Sequence, residues 1–479
     1  MTATPSRPFP LLRLPLELRE HVFAFYFNPF DRLVSHYDFG PPDPAISDGS
    51  EDRPEDTPGG GKYSFDFRLM RVNKQICGEA RGVWKRVAGT FVMVDTPWPT
   101  AVHHISTEGF VPIVASGPRA SLFRDHTFHV EITAPRYDAH PDHSLVLLLE
   151  DVPLFAKTWY YSALSYPVLN TELHVSFKVR PVDGWLDCSY NDGEEKEVGI
   201  ELQRKMVAPF EKVKGLRGTH FSGFDEKVKE DVLKGMAIPH PSAQECIESC
   251  ASLMAEGDTA LASASKEPEK GQQALHLYRR AFHAIHVIIE NRTRRVLAEG
   301  YFHETIPSGP FAGQSGTTVR ILLRIRLVSR HVLAYLRLKK YGDAAFWGMR
   351  SIRIMREAMS SEFEDLQTDF PGMSDVGPLC CRTAMAFQIM EDDEEVWKEE
   401  LKGYLEDEAG HSDELWHLAK KYMRGLGREE ERKLVRLEAK EFGVDIPAGV
   451  FAEWGKQVAS EADSLGYLDL GEEEGGGSS

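Results

Sequence analysis

Two N-terminal segments carry the clearest hydrophobic pattern. In RLPLELREHVFAFYF, residues 13–27, Leu18, Val22 and Phe25 recur at spacings of four and three, which predicts one helical stripe. Pro15 suits a first helical turn, where its missing N–H would have no partner anyway. In FRLMRVNKQICGEARGVW, residues 67–84, Leu69, Val72, Ile76, Ala80 and Val83 repeat at three and four. Neither stripe is expected to stay in water. The pattern predicts two short helices packed on each other or against a further chain.

The pattern then changes. TFVMV (Thr90 to Val94), TFHVEIT (Thr127 to Thr133), LHVSFKV (Leu173 to Val179) and GTHFSGF (Gly218 to Phe224) alternate and are rich in β-branched and aromatic residues, which predicts strands. LVLLLEDVPLFAKTWYYSAL and IELQRKMVAPFEKVKGL, lying between them, read as helices. Strand–helix alternation over 87–240 predicts a small mixed or parallel sheet with helices on it. The pitch is too irregular for a leucine-rich repeat. From about residue 242 strands are expected to vanish. SAQECIESCASLMAEGDTALAS, EKGQQALHLYRRAFHAIHVIIENRTRRVLAEG, TVRILLRIRLVSRHVLAYLRLKK and YGDAAFWGMRSIRIMREAM all read as helical. The fold class is therefore α+β, mainly α.

Composition adds boundaries. Residues 40–62 (GPPDPAISDGSEDRPEDTPGGGK) have almost nothing to bury and read as a disordered insert between the two N-terminal helices. The acidic, Gly-rich end, residues 464–479, reads the same way. The expected divisions are 8–86, 87–240, 241–463 and the tail. With 479 residues, 42% apolar and 27% charged, the chain fits a multi-domain globular protein. A net charge of −18 argues against a general affinity for nucleic acid or anionic membrane. The start, MTATPSRPFP, is not expected to be a secretion signal, and LVLLL is far shorter than the roughly 20 residues of a membrane helix. Six cysteines without a CxxC pair predict reduced thiols, buried as small apolar residues. The expected location is cytoplasmic or nuclear.

The LP-x-E-L-R opening at Leu14–Arg19 and the VN-x-Q-I-x-x-E-A segment at Val72–Ala80 resemble the F-box-like domain common in fungal proteins. The resemblance implies docking onto the small adaptor subunit of a cullin-type ubiquitin ligase. It assigns the contact to Leu14, Pro15, Leu18 and Val22, which match its apolar positions, and to Glu17, which matches its acid near the positive end of the first helix. Further on, Ala274, Tyr278 and Ala281 follow a small–x3–aromatic–x2–small pattern, and Ala344, Gly348 and Ser351 repeat its spacing. With AEGDTAL and AYLRLKKYGDAA as helix-turn-helix joints, residues 242–360 are similar to tetratricopeptide (TPR) repeats. The long spacer SASKEPEKGQQ and Gly348 in the aromatic slot depart from that family.

Signals for chemistry are sparse. The sequence has no phosphate-cradling Gly loop, GxSxG, HExxH or kinase motif. His126 and His129 are not expected to share a face of a period-two strand, and His140 and His143 read as a chance surface pair. No metal site and no cofactor is expected. From Gly316 to Glu357 ten Lys/Arg stand against two acids, and from Glu391 to Glu414 twelve acids stand against two lysines. Such segments are solvated helix faces, or they dock on each other or form a basic groove for an acidic peptide. The reading is a non-enzymatic intracellular adaptor that recruits an unknown partner protein to a ubiquitin ligase. The alternatives are a TPR-type scaffold whose F-box-like helices cap the sheet, and an enzyme with a deep pocket in the central region. Exposure of the stripe from Leu14 to Val22 separates docking from capping.

Overall fold

The two N-terminal segments form helices α1 (Leu16–Phe27) and α2 (Lys74–Val87) in the computed structural model. It describes residues 11–34, 60–87, 89–137, 140–180, 198–264, 267–290, 292–358, 373–391, 411–423 and 428–451. The expected tail and nearly all of the expected insert lie outside these residues. The end of the insert is ordered, contrary to expectation. Gly60 N–H donates to Ser106 O at 2.9 Å, and strand β2 (Lys62–Tyr63) pairs with β1 (Leu33–Val34). The fold is α+β and mainly α, with a small mixed sheet. The chain divides into two units, Met1–His240 and Pro241–Ser479. The two N-terminal helices and the sheet thus share one unit.

That sheet has six strands: β3 (Phe91–Thr96), β4 (Ala115–Ser116), β5 (His126–Thr133), β6 (His143–Leu148), β7 (His174–Val179) and β8 (Gly218–Ser222). Their order is β4-β6-β3-β5-β7-β8. The β3–β5 and β7–β8 pairs are parallel, and the others are antiparallel. Short helices α3 (Pro99–His103) and α4 (Pro118–Ser121) connect strands. Helices α5 (Val152–Ser165), α6 (Ile200–Val207) and α7 (Glu226–Ala237) supply the main cover, joining Val92, Val94, Phe128, Val130 and Phe177 in one core. Leu145–Leu148 is a strand rather than the helix expected there. Leu145 and Leu147 enter that core, while Val146 and Leu148 enter a second cluster with Tyr63, Phe91 and Met93 on the opposite face. A strand buried on both faces loses its alternation, so its apolar run imitates a helix. The second expected helix stops at Val207; Pro209, which has no N–H to donate, sits in a tighter 3-10 turn, Ala208–Lys212.

The second unit is mostly helical: α8 (Ala243–Ala262), α9 (Pro268–Ala284), α10 (Gly316–Arg337), α11 (Tyr341–Ala358), α12 (Met373–Glu391), α13 (His411–Met423) and α14 (Glu429–Phe442). Strands do not vanish here. His286, at φ 55°, turns the chain out of α9 into a hairpin of β9 (Val287–Glu290) and β10 (Thr293–Val296). Val287, Ile288 and Ile289 are β-branched and favour the pleated strand. AEGDTAL is likewise not a joint but lies inside α8. It holds Gly257, where a Cβ would stand 2.4 Å from the Tyr278 ring. Tyr278 Oη–H donates to Asp258 at 2.8 Å, and Arg330 Nε donates to the same carboxylate at 2.8 Å, joining α8, α9 and α10. The joint expected at AYLRLKKYGDAA is present, between α10 and α11.

Ala274, Ala281 and Ala344 are fully buried, and a Cβ on Gly348 would meet Thr383 of α12 at 2.1 Å. Ala344→Leu should therefore overpack the helical core and cost about 1–3 kcal/mol. Urea unfolding of the full chain tests this; an unchanged midpoint would remove residue 344 from a helix–helix contact.

His331 on α10 lies among the rings of Tyr278, Phe282 and Tyr335. Burial, and then the charge of Arg279, push its pKa down to about 3. The unfolded imidazole protonates near 6.5, so the unfolded state binds more protons between those values. Its contribution is complete above the unfolded value and is lost as pH falls toward the folded one. Between pH 6.5 and 4, wild type should lose on the order of 1–3 kcal/mol relative to His331→Leu. Urea titrations at each pH check this, and a constant difference between the two would contradict it.

A candidate protein-docking face

Helix α1 begins directly after Pro15, whose carbonyl accepts the first helical hydrogen bond, from Arg19 N at 3.1 Å. Apolar residues occupy both of its faces. Phe23 and Phe27 point inward and meet Ile76, Ala80 and Val83 of α2. The Trp84 ring stands edge-on to Phe27, with centroids 5.5 Å apart. Arg19 shares this inner face. It grips Glu79 through Nε at 2.8 Å and Nη2 at 2.6 Å, and donates Nη1 to the Leu14 carbonyl at 2.5 Å. This bidentate pair is mostly shielded from water and locks the start of α1 onto α2. The guanidinium hydrogen bonds hold the Glu79 carboxyl below its ordinary pKa, against the opposing effect of partial burial.

The predicted stripe is therefore not the one that packs. Leu18 is 52% exposed, Val22 44% and Phe25 64%. Leu12, in the preceding 3-10 turn, is also exposed. Pro15 and Glu17 are exposed, and Leu14 is half-buried with its carbonyl on Arg19. Of the five residues assigned to the contact, Pro15, Glu17, Leu18 and Val22 thus face solvent. Phe25 belongs to the same exposed set, whereas Leu16, seven residues before Phe23, is exposed at the first turn on the other side of the helix. In the second segment, Ile76, Ala80 and Val83 pack as expected. Val72 does not: it is exposed because α2 begins only at Lys74, after a 3-10 turn at Arg68–Arg71.

Compared with protein-family models, curated proteins and solved structures, the chain matches none.

The sheet unit also gathers groups that sequence spacing separates. A register shift between Phe91 and Val92 places His126 opposite Phe91 and His129 opposite Met93. This bulge puts both imidazoles on one face, with ring centroids 5.6 Å apart. His129 Nε2 bonds to Asp95 at 2.7 Å, and Arg180 Nη1 donates to His126 Nε2 at 3.1 Å. Burial, Arg180 and His129 push the His126 pKa down to about 4.

Elsewhere His104 Nδ1 lies 2.5 Å from Glu108 and its Nε2 2.6 Å from Ser162 Oγ, a triad-like order. However, the Ser162 hydroxyl donates to the Thr158 carbonyl at 2.9 Å, so its proton is already directed into α5. The set fastens the π-helical turn His104–Glu108 to α5. A cleft of about 780 Å³ opens beside β4 and β6, lined by Val102, Ser121, Asp142, His143 and Ser144, and includes none of that triad-like set. Among the described residues no group of three or more His, Cys, Asp or Glu side chains could hold a metal ion. Cys246, Cys250, Cys380 and Cys381 are buried; burial pushes the Cys250 and Cys380 thiols up to about 12. No described helix is long and apolar enough to cross a membrane.

Proposed function

We propose that this chain is a non-enzymatic adaptor that docks onto the small adaptor subunit of a cullin-type ubiquitin ligase through the outer face of α1. The helical second unit, read as TPR-like, would carry the recruited protein. The observation that carries the proposal is the apolar set Leu18, Val22 and Phe25, left in solvent on a helix whose inner face is already satisfied. A contiguous apolar patch of this kind marks a protein contact more often than an idle surface. A helix that merely capped the sheet would turn Leu18 and Val22 inward. Their exposure supports docking over capping. The brace from Arg19 to Glu79 holds α1 rigid before a partner arrives, so little ordering cost falls on binding. Burial of Ala274, Ala281 and Ala344 at tight helix contacts supports the TPR-like reading of the second unit.

Mixing the purified full chain with the purified adaptor subunit tests the proposal. The expected result is a stable complex that co-elutes on size exclusion. Separate elution of the two proteins at micromolar concentration would overturn it.

A further inference from the structure

Helix α10 treats its arginines in two ways. Arg326, Arg330 and Arg337 each reach a carboxylate: Asp375 at 2.9 Å, Asp258 at 2.8 Å and Glu441 at 3.0 Å. Arg320 and Arg324, one turn apart, make no such pair among the described residues. Buried Arg320 donates instead to the carbonyls of Ile285 and His286, at 2.9 and 3.3 Å, and to that of Leu297. These carbonyls lie where the chain enters and leaves the β9–β10 hairpin. At the hairpin's other end, Arg350 of α11 donates Nη1 to the Arg292 carbonyl at 3.0 Å.

Arg294 lies between these two anchors. It pairs across the hairpin with Ile289 and shares the strand face of Val296, and both of those residues pack on the helical core. Its side chain is half-buried, as is that of Arg324. Neither guanidinium has a hydrogen bond or ion pair among the described residues. Burial and the charges of Arg324 and Arg350 lower the Arg294 pKa to about 10, and burial lowers that of Arg324. Glu299 is the acid whose charge bears on Arg320 and Arg324, but it is exposed and pairs with neither.

Four guanidiniums that meet no carboxylate among the described residues, in a chain of net charge −18, are a costly arrangement for a site with no ligand. Two of them, Arg294 and Arg324, use none of their donors among the described residues. We infer that Arg294, Arg324 and Arg350 form an anion site for a compact dianionic oxyanion, a free phosphate or the phosphate of a monoester. A planar guanidinium fork matches two oxygens of such a group at once, and two free forks fit a tetrahedral anion. The half-burial of Arg294 and Arg324 favours a compact group over an extended acidic segment. The ligase reading of α1 plays no part in this inference.

Calorimetric titration of the full chain tests it, with inorganic phosphate and phenyl phosphate as probes, at ionic strength held constant with chloride. Saturable binding of at least one probe is expected. Arg294→Gln and Arg324→Gln should each weaken it by about tenfold or more. In phosphate-free chloride buffer the same variants should melt no lower than wild type, because they relieve like-charge repulsion. Tighter phenyl phosphate points to a monoester, and tighter inorganic phosphate to the free anion. No saturable binding, or binding that both variants leave unchanged, overturns the site. Should one Gln variant fail to fold, the Lys variant at that position keeps the charge but loses the fork, and it should still weaken binding.

Discussion

Arg382→Met should destabilise the helical unit by about 3–5 kcal/mol, the usual effect of breaking a buried ion pair from one side. Arg382 of α12 and Glu438 of α14 are both nearly inaccessible, at 5% and 2% exposure. The guanidinium meets the carboxylate through Nε at 2.9 Å and Nη2 at 2.6 Å. Its Nη1 donates to the Ser329 hydroxyl at 2.7 Å and the Ser329 carbonyl at 3.1 Å, which ties in α10. Without Arg382 the Glu438 carboxylate stays buried and uncompensated. Arg382→Met with Glu438→Leu removes both charges and should recover most of the loss. Hydrogen exchange in α10 and α12 of the full chain reads the effect locally. A loss below about 1 kcal/mol for the single variant would mean that water reaches the pair.

The second large effect concerns binding rather than stability. Phe25 is the most exposed member of the outer face of α1, and its ring stands edge-on to His21 at 4.8 Å. Phe25→Asp removes no core contact, so the fold should change by no more than about 0.5 kcal/mol. Buried under a partner, an aspartate would be an unpaired charge in an apolar contact. The expected loss is about 2–4 kcal/mol, or roughly thirtyfold or more in Kd for the adaptor subunit. Leu18→Asp should act in the same direction. Phe23→Ala, on the inner face, should instead cost about 3–5 kcal/mol of folding stability.

The sequence resolved elements better than faces. Both N-terminal helices, four of the six sheet strands and the main C-terminal helices are legible from period alone. The roles of the faces of α1 are not. Leu18, Val22 and Phe25 have the period of a core stripe, and so does Phe23–Phe27. A residue awaiting a partner and one packed at home look the same in sequence. Arg19 conceals the true inner face, because a charged residue is not read as core without knowing that Glu79 lies opposite. β6 was hidden by burial on both faces, and the β9–β10 hairpin by its continuity with α9. The shared face of His126 and His129 depends on a bulge that period-two reasoning cannot anticipate. The anion site is further still from sequence. Its basic run is visible, but which arginines lack an acid depends on Asp258, Asp375 and Glu441 arriving from other helices.

The outer face of α1 is proposed as a partner surface and not a surplus of apolar residues. Its most direct test is titration calorimetry of the purified adaptor subunit into the full chain and into its Phe25→Asp variant, with urea unfolding of both chains alongside. The expected result is saturable binding to the wild type, a roughly thirtyfold or greater loss in the variant, and matching unfolding curves. Equal affinity for both chains, or no binding to the wild type, would contradict it.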